Sequence, residues 1–384
     1  MTRLRVLLTL GTRPEAIKMA PVVLECRRRA DVIEPIVCFT GQHREMLIQM
    51  TEYFGIRPDV DLDLMTPGQT LTGFLSRCLT GLDSVLDRFQ PACLVAQGDT
   101  TTVMAAALAA FQSRTPMVHV EAGLRTGNIL APWPEELNRR VVSLAATLHC
   151  APTRWAADNL LTEGVPADQV HVTGNTVIDA LHIAVERERT NTAHWESIYP
   201  MLGKRRMVLI TGHRRENFGE GLERICDAIC RLAGEFADVL FFYPTHLNPR
   251  VWDHVHSRLA GLENIRLSAP VPYPEFVWLM DRSTLILTDS GGVQEEAPSL
   301  GKPVLIMRDA TERPEGVKAG FAELVGTSVD NIVRAVTKLL MDPADSARRQ
   351  PLTNMSNPYG DGHSAARIVE LMIRKFHPAQ RNEG

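Results

Sequence analysis

Residues 285–296 have the sequence LILTDSGGVQEE, in which an apolar run leads through Asp289 and Ser290 into two glycines and a polar stretch. This order predicts a β-strand, a tight turn and the start of an α-helix. Glycines after a serine let the backbone approach a ligand closely, and the free N–H groups and positive end of the helix dipole favour an anion. The stretch therefore predicts a phosphate-binding turn. A plain strand-to-helix turn is the alternative, since Gly-Gly serves both.

A second turn of this kind lies near the start of the chain. Residues 6–10, VLLTL, are followed by GTRPEAIK at residues 11–18, which again indicates a strand, a glycine turn and a helix. Pro14 falls in the first turn of that helix, where proline is tolerated because its missing N–H would have no intrahelical partner. Both halves of the chain thus carry a turn that suits a ligand.

Outward from these turns, apolar and β-branched runs alternate with amphipathic helical stretches. This alternation predicts parallel sheets with helices on both faces. The pattern stops in a polar, Tyr-Pro-containing stretch that ends at Arg206 and then restarts, so this stretch is predicted to link two doubly wound α/β domains with the ligand between them at the strand carboxyl ends. The predicted strands are 5–10, 36–40, 93–96, 117–120, 148–151, 207–211, 239–243, 265–267, 285–288 and 303–307, and the predicted helices include 14–29, 44–54, 71–89, 101–113, 175–188, 220–236 and 364–376.

The composition is that of an ordinary globular protein. A chain of 384 residues, 45% hydrophobic and 22% charged, is long enough for two domains with their own cores. The formal net charge of -4 argues against a nucleic-acid-binding protein, which usually carries a basic excess. The seven cysteines show no paired framework and are predicted to be reduced residues of a cytoplasmic protein. No run approaches the roughly 20 apolar residues that span a bilayer, so no membrane segment is predicted.

Motifs for cofactors and metals are not found in the sequence. Residues 360–365 match the loose G-x-G-x-x-A form, but Asn-Pro-Tyr precedes them where a dinucleotide site has a strand. There is no Walker P-loop. Cys226 and Cys230 are four residues apart on a predicted helix, yet no nearby His or Cys completes a zinc site. The sequence therefore predicts neither a cofactor nor a metal.

Four ionisable residues stand where the predicted strands end or helices begin. Asp99 lies between a strand and a helix, a place that also suits an N-cap. Glu121 directly follows a strand and precedes Ala-Gly, where a carboxylate has little structural purpose. Glu135 opens a helix after Pro-Trp-Pro, where acidic residues are common for reasons of charge alone. His213 follows a strand and can serve as an acid, a base or a phosphate contact.

Nine short blocks, spread over nearly the whole chain, carry a resemblance to a known family. In order they are GTRPEAIKMAP (11–21), GDTTT (98–102), HVEAGLRTG (119–127), PWPEE (132–136), TGNTVIDAL (173–181), HLNP (246–249), LTDSGGVQEEAPSLGKPVL (287–305), RDATERPEGV (308–317) and NPYGDG (357–362). Together they resemble the non-hydrolysing UDP-N-acetylglucosamine 2-epimerases of bacterial type. The resemblance implies two Rossmann-like domains of the GT-B type, residues 1–174 and 175–363, with a cleft between them and the last helix, 364–377, joining the first domain.

The resemblance also implies the reaction and the residues that perform it. The expected reaction is reversible epimerisation at C2 of UDP-N-acetylglucosamine to UDP-N-acetylmannosamine, through elimination of UDP to 2-acetamidoglucal and its re-addition, for bacterial surface polysaccharide synthesis. Catalysis is assigned to the matching residues Asp99, Glu121, Glu135 and His213. UDP contacts are implied for Arg13, Lys18, Val271, Phe276, Ser290, Gly291, Gly292, Glu296 and Arg313. Val271 stands where relatives place a polar side chain, so its contact uses the main chain, and Phe276 has a core role as its alternative.

Regulation and assembly are implied as well. The resemblance predicts a homodimer and a second UDP-N-acetylglucosamine molecule that favours domain closure, held by Gln42, Glu136, Arg214 or Arg215, and His246. Glu45 and Gly68 stand where some regulated relatives carry Gln and Arg, which removes two contacts. The alternative functions are a GT-B glycosyltransferase with an acceptor groove, a hydrolysing epimerase that releases N-acetylmannosamine, and a sugar-nucleotide sensor without activity.

Overall fold

The structure is a computed structural model that describes residues 3–42, 44–212, 214–341 and 357–377. The chain forms two compact units, here called the first unit, Met1–Ala180 with Tyr359–Gly384, and the second unit, Leu181–Pro358. The predicted domain boundary after residue 174 precedes a helix, Thr176–Thr190, within which the two units divide.

Two parallel sheets form the centres of the units. The strands are β1 (Leu4–Leu10), β2 (Ile33–Phe39), β3 (Val60–Asp61), β4 (Cys93–Gln97), β5 (Met117–Val120), β6 (Leu148–Ala151), β7 (Val170–Val172), β8 (Arg206–Thr211), β9 (Val239–Pro244), β10 (Ile265–Ser268), β11 (Leu285–Thr288), β12 (Val304–Ile306) and β13 (Ala322–Leu324). The first unit has the order β3-β2-β1-β4-β5-β6-β7 and the second unit the order β10-β9-β8-β11-β12-β13. Two doubly wound α/β domains, as predicted, are confirmed.

Helices connect the strands in both units. In chain order they are α1 (Arg13–Arg28), α2 (Arg44–Tyr53), α3 (Leu71–Phe89), α4 (Thr101–Gln112), α5 (Glu135–Ala145), α6 (Arg154–Thr162), α7 (Thr176–Thr190), α8 (Thr192–Ile198), α9 (Glu220–Glu235), α10 (Pro249–Leu259), α11 (Tyr273–Arg282), α12 (Gly291–Glu296), α13 (Pro314–Lys318), α14 (Val329–Met341) and α15 (Ser364–Phe376). Threonine side chains cap several of them, since a hydroxyl satisfies an otherwise unpaired N–H. Thr70 accepts from Gly73 N at 3.0 Å before α3, and Thr153 accepts from Ala156 N at 3.2 Å before α6.

The strands are buried because helices cover both faces of each sheet, which explains their nearly continuous apolar sequences. In β1 every residue except Arg5 is buried, and in the second unit α9 and α14 pack apolar faces that include Ile229 and Val336 on the sheet. The helix α15 belongs to the first unit, where its Glu370 forms an ion pair with Arg29 at 3.5 Å. No helix in the described ranges is long and apolar enough to cross a membrane.

The strand order fixes where a ligand site is expected. In each sheet the order reverses between two neighbouring strands, β1 and β4 in the first unit and β8 and β11 in the second. Ligands of doubly wound folds bind outside the carboxyl ends of the strands at such a switch point. The turns 11–12 and 98–100 lie there in the first unit, and residues 289–290 lie there in the second.

Some elements differ from the prediction. The short strands β3, β7 and β13 were not predicted, because their two or three residues do not form an apolar run, unlike the three residues of β12. The predicted linker is wrong as a plain linker, since it contains α8, whose Trp195 is 9% exposed and packs against Trp278 with ring centroids 6.2 Å apart. The Trp195 indole N–H also donates to Glu188 at 2.9 Å, so this polar stretch is part of a folded unit.

Candidate active site

Glu121 is the most constrained carboxylate of the first unit. It follows β5 with a φ of +63°, a left-handed conformation that is uncommon for residues other than glycine and frequent at functional sites. It is 8% exposed and accepts hydrogen bonds from three side chains. Lys18 Nζ donates to Oε1 at 2.6 Å, Asn175 Nδ2 donates to the same oxygen at 3.0 Å, and Gln97 Nε2 donates to Oε2.

Asp99 lies in the turn after β4 and is held by an arginine. The N-cap of α4 is Thr100, whose Oγ1 accepts from Val103 N at 3.3 Å, so Asp99 does not have the capping role that was its alternative. Arg139 Nε donates to Asp99 Oδ2 at 2.9 Å, and Asn138 Nδ2 donates to the Asp99 carbonyl oxygen at 2.8 Å. Burial raises the pKa of Asp99, and the nearby Arg139 opposes this rise.

Glu135 and Glu136 open α5 but have different surroundings. Glu135 is half-buried, and its Oε2 is buried without a hydrogen-bond partner among the described residues. Glu136 is 0% exposed and accepts from Thr126 N at 3.1 Å and from Arg139 Nη1 at 3.1 Å. Both donors reach Oε2 of Glu136, the predicted regulatory contact, so Glu135 Oε2 and Glu136 Oε1 are each buried without a hydrogen-bond partner among the described residues.

The turn after β1 is joined to the turn after β4 by Glu15. This side chain is 1% exposed, and its Oε2 accepts from Gly11 N at 2.5 Å and Thr12 N at 3.0 Å. Its Oε1 accepts from the hydroxyl of Thr100. Burial raises the pKa of Glu15 to about 7, although these three donors lower it. Glu15 therefore connects the start of α1 with the start of α4.

Two further predicted residues lie beside these turns. Arg13 is half-buried, and its side chain makes no hydrogen bond or ion pair with any described residue, which leaves the guanidinium available. Gln42 is also half-buried, and its Oε1 accepts from Thr102 N at 3.3 Å and from Thr102 Oγ1 at 2.9 Å.

The predicted phosphate turn of the second unit has the expected form. β11 ends at Thr288, whose Oγ1 accepts from Ser290 N at 2.9 Å, and α12 starts at Gly291. The amides of Gly291 and Gly292 have no hydrogen-bond acceptor in the described part of the chain, as is usual for the first turn of a helix. A Cβ built on Gly291 would lie 2.5 Å from Arg313 Nη1, so the guanidinium of Arg313 lies directly against this turn.

Asp289, at the start of that turn, is buried and hydrogen-bonded to the segment that follows β8. It is 1% exposed, and its Oδ2 accepts from Arg214 N at 2.9 Å and from Asn217 Nδ2 at 3.1 Å. Asn217 Nδ2 also donates to the Met307 carbonyl oxygen at 3.1 Å. The segment that follows β8 is thereby bonded to the segment that follows β11, across the switch point of the second sheet.

The remaining predicted UDP residues are in the second unit. Glu296 is 8% exposed at the end of α12, and its Oε2 would lie 3.7 Å from a Cβ on Gly292. Phe276 is half-buried and is not among the buried residues of α11, which disfavours the core role that was its alternative. Val271 is half-buried just before that helix. Arg313 Nε donates to Glu295 Oε1 at 2.5 Å.

Of the four predicted residues after β8 and β9, the structure describes two, Arg214 and His246, with their side chains. His213 lies outside the described residues, and so does the side chain of Arg215. Arg214 is half-buried, and its Nε is buried without a hydrogen-bond partner in the described ranges. His246 is exposed, and its Nδ1 accepts from Asn248 N at 3.1 Å.

The structure brings Asp99, Glu121 and Lys18 together, close enough for Glu121 to raise and Lys18 to lower the pKa of Asp99. It also brings Gly291 and Arg313 together. Sequence reasoning missed the partners that hold these groups: Gln97, Asn175, Arg139, Glu15 and Asp289. Chemically, a cluster of carboxyl groups with a lysine can exchange protons with a ligand, and a glycine turn beside an arginine can hold a phosphate.

Comparison with known proteins agrees with this arrangement. Residues 9–373 match a family model described as UDP-N-acetylglucosamine 2-epimerase. A probable UDP-N-acetylglucosamine 2-epimerase from Ralstonia nicotianae is 54% identical over 376 residues, which cover 97% of this chain and 99% of the relative. A UDP-N-acetylglucosamine 2-epimerase from Yersinia pestis is 51% identical over 373 residues, 96% of this chain and 98% of the relative.

The fold of a solved relative is also similar. The crystal structure of UDP-GlcNAc 2-epimerase from Neisseria meningitidis bound to UDP-GlcNAc has a TM-score of 0.87 and 46% identity, and the match covers 97% of this chain and 100% of that one. The family predicted from the sequence blocks is thereby confirmed. The chain belongs to the UDP-N-acetylglucosamine 2-epimerase family.

Proposed function

We propose that this chain catalyses the reversible epimerisation of UDP-N-acetylglucosamine at C2, giving UDP-N-acetylmannosamine without net hydrolysis. Membership of the family supports the reaction. The observation that carries the proposal is the acid–base cluster at the switch point of the first sheet, where Asp99, Glu121 and Lys18 lie together. The product would supply bacterial surface polysaccharide synthesis, and the enzyme would act as a cytoplasmic homodimer.

The chemistry at C2 requires that UDP leave. The C2 hydrogen of the sugar is not next to a carbonyl group, so a base cannot remove it unless the C1–O bond to UDP breaks as well. The electron pair of the C2–H bond then forms the C1–C2 double bond of 2-acetamidoglucal, and UDP departs with the electrons of the C1–O bond. Re-addition of UDP at C1, with a proton delivered to the opposite face of C2, gives the epimer.

This path needs two proton-transfer groups, one for each face of C2, and negative charge near C1 while it carries oxocarbenium character. Asp99, Glu121 and Glu135 are the carboxyl groups proposed for these roles. The side chains that donate to Glu121 suit its ionised form, and Glu135 Oε2, which has no hydrogen-bond partner among the described residues, is available to a substrate proton. His213 is proposed as the partner of the diphosphate leaving group.

UDP recognition is proposed for the second unit, with help from α1. The amides of Gly291 and Gly292 and the side chain of Ser290 would receive the diphosphate, and the Arg313 guanidinium suits phosphate geometry. Glu296 would accept from the ribose hydroxyls. Phe276, the main chain of Val271, and Arg13 and Lys18 of the first unit complete the proposed contacts. That the ligand lies in a cleft between the domains stays a prediction.

Regulation by substrate is part of the same proposal. A second UDP-N-acetylglucosamine molecule would contact Gln42, Glu136, Arg214 or Arg215, and His246. The ring of His246 is exposed, and Arg214 Nε has no hydrogen-bond partner in the part of the chain that the structure describes, which supports such contacts. Glu136 is fully buried here, so its contact with the ligand would require the surrounding side chains to move.

The decisive experiment incubates the purified chain with UDP-N-acetylglucosamine alone in heavy water, with no added cofactor or metal, and follows products by NMR. We expect UDP-N-acetylmannosamine that carries deuterium at C2, and slow leakage of UDP and 2-acetamidoglucal. Free N-acetylmannosamine with UDP would indicate a hydrolysing epimerase. Turnover only with an added acceptor would indicate a glycosyltransferase, and binding without turnover a sensor. The Asp99→Asn variant, purified in the same way, controls for contaminating activity.

A further inference from the structure

The block TGNTVIDAL (173–181) has no role in the proposed function, yet its Asn175 reaches the candidate catalytic carboxylate. Asn175 lies between β7 and α7 and is 2% exposed. Its Nδ2 donates to Glu121 Oε1 at 3.0 Å, and its Oδ1 accepts from Val177 N at 3.1 Å. Only the amide oxygen can accept from Val177 N, so this second contact fixes which end of the amide faces Glu121. Asn175 therefore presents a donor to the carboxylate.

The fold holds Asn175 in this place independently of any ligand. Its backbone N–H donates to the Tyr359 carbonyl oxygen at 2.6 Å. The preceding Gly174 has a φ of +88°, and a Cβ on it would lie 2.5 Å from Ser364 Oγ. The backbone on both sides of the Asn175 side chain is thus tightly packed against the segment that leads into α15, and a shift of the amide would disturb several contacts.

The surroundings of Glu121 are complementary to a carboxylate. Lys18 and Asn175 donate to one oxygen and Gln97 donates to the other, and hydrogen bonds of this kind favour the ionised form of Glu121. The charged and titratable groups that face it are Lys18 from α1, Asp99 from the turn after β4, and His119 from its own strand. Burial keeps His119 neutral by lowering its pKa to about 3, so Lys18 is the cation on this side.

The geometry points to Asn175 as a positioning residue that keeps the Glu121 carboxylate ionised and oriented for proton transfer at C2. This inference rests on the proposed function. Asn175 is 2% exposed and donates directly to Glu121, so we assign its effect on the reaction to Glu121 and not to a contact with the substrate. It thereby assigns a role to a block of the sequence that neither binds UDP nor supplies an acid or base.

Two substitutions test the assignment through different readouts. Asn175→Asp places a second carboxyl group against Glu121, so we expect kcat to fall by about tenfold or more and the acidic limb of the kcat/KM profile to move up by about one pH unit. Asn175→Ala removes the donor without adding charge, and should lower kcat by about tenfold while KM for UDP-N-acetylglucosamine changes by less than about threefold. Gln97→Glu places a carboxyl group against the other oxygen of Glu121, Oε2, and should move the acidic limb in the same direction as Asn175→Asp.

The chain offers a matched control and an internal check. Asn191 also donates through Nδ2 to a buried glutamate, Glu188, at 3.3 Å, but in the second unit, so Asn191→Asp should leave the pH profile unchanged. If Asn175 acts through Glu121, adding Asn175→Ala to Glu121→Gln should lower kcat little further. If the two residues acted independently, the fold-losses in kcat of the single variants would multiply in the double variant. Thermal unfolding and UDP binding of each variant show that it is folded.

The outcomes separate this inference from the proposed function. Wild-type chain without epimerase activity would overturn the proposed function and the inference with it. The inference alone would be overturned by the following result. The wild type is active and Glu121→Gln is impaired, but Asn175→Asp and Asn175→Ala fold and keep the wild-type kcat and pH profile. If Asn175→Asp does not fold, the Gln97→Glu profile decides in its place, and an unshifted acidic limb there contradicts the inference.

Discussion

At the scale of single residues, three carboxyl groups of the first unit differ in what holds them. Glu121 accepts from three side chains, Asp99 is held by Arg139, and Glu135 has an oxygen with no partner among the described residues. Proton transfer needs the ionisable group itself, so Asp99→Asn, Glu121→Gln and Glu135→Gln should each lower kcat by about 10² or more, with smaller changes in KM. Steady-state kinetics measure this.

The control for these variants is Glu370→Gln on α15, which replaces a carboxylate that pairs with Arg374 at 3.0 Å. Its kcat should equal that of the unmodified chain. A near-normal kcat for any one of the three site variants would remove that residue from the mechanism while leaving the other two.

Glu15 should give stability a distinct pH dependence. Its pKa is raised by burial from 4.5 to about 7, so between these values the folded chain binds the proton more tightly than the unfolded chain. Stability therefore falls as pH rises through this window, by about 1.4 kcal/mol for each unit of pKa displacement. Glu15→Gln removes the titration, and its melting temperature should fall less than that of the unmodified chain between pH 5 and pH 8. Parallel falls would contradict a raised pKa.

At the scale of elements, the junction of β11 and α12 carries the phosphate prediction. A Cβ at Gly291 would meet the Arg313 guanidinium at 2.5 to 3.1 Å, so Gly291→Val must displace the arginine and crowd the amides of the turn. We expect UDP affinity, measured by calorimetry, to fall by about tenfold or more. Gly234→Ala is the matched control, because a Cβ at Gly234 on α9 meets nothing within 4 Å. Unchanged UDP affinity in Gly291→Val would refute the phosphate-binding interpretation of this turn.

The elements that sequence reasoning predicted well are those with a local signal. The strand 285–288 was predicted with its observed bounds because three apolar residues and Thr288 lead directly into a turn. The position of Asp99 between a strand and a helix made it a candidate N-cap of α4. The residue that caps this helix is its neighbour Thr100. Arg139 and Asn175 could not be predicted as partners, because they lie 40 and 54 residues from Asp99 and Glu121 and only the packed sheet brings them together. The stretch around Trp195 was predicted to be a linker because most of its residues are polar. Its sequence does not show that the Trp195 indole is buried.

At the scale of the whole molecule, exposed apolar residues on α5 form a candidate interface for the predicted homodimer. Leu137 is 44% exposed, Leu144 is 87% exposed, and Phe111 at the end of the neighbouring α4 is 68% exposed. Side chains at this spacing form one helix face, and clustered exposed apolar residues mark association surfaces. Leu144→Glu should shift the chain from dimer to monomer in sedimentation. Met341→Glu, 70% exposed on α14, is the control, and a dimer that survives Leu144→Glu would place the interface elsewhere.

Regulation is a property of the whole molecule, because an effector acts only if it binds one conformation better than another. A second UDP-N-acetylglucosamine molecule would do so through Gln42, Arg214 and the exposed His246. When the chain is given purified UDP-N-acetylmannosamine alone, we therefore expect an initial rate at least about tenfold below the rate with a trace of UDP-N-acetylglucosamine, followed by acceleration as that sugar accumulates.

His246→Ala sharpens this last test. The ring is exposed and accepts from Asn248 N at 3.1 Å, and we expect the variant to keep the fold, which thermal unfolding checks. The variant should need more UDP-N-acetylglucosamine to relieve the lag, while its maximal rate with that effector stays near that of the unmodified chain. If Glu45 and Gly68 replace the Gln and Arg that the resemblance implies for some regulated relatives, we expect weaker binding of the effector. A full initial rate with UDP-N-acetylmannosamine alone, in both proteins, would mean that this chain reaches its active conformation unaided.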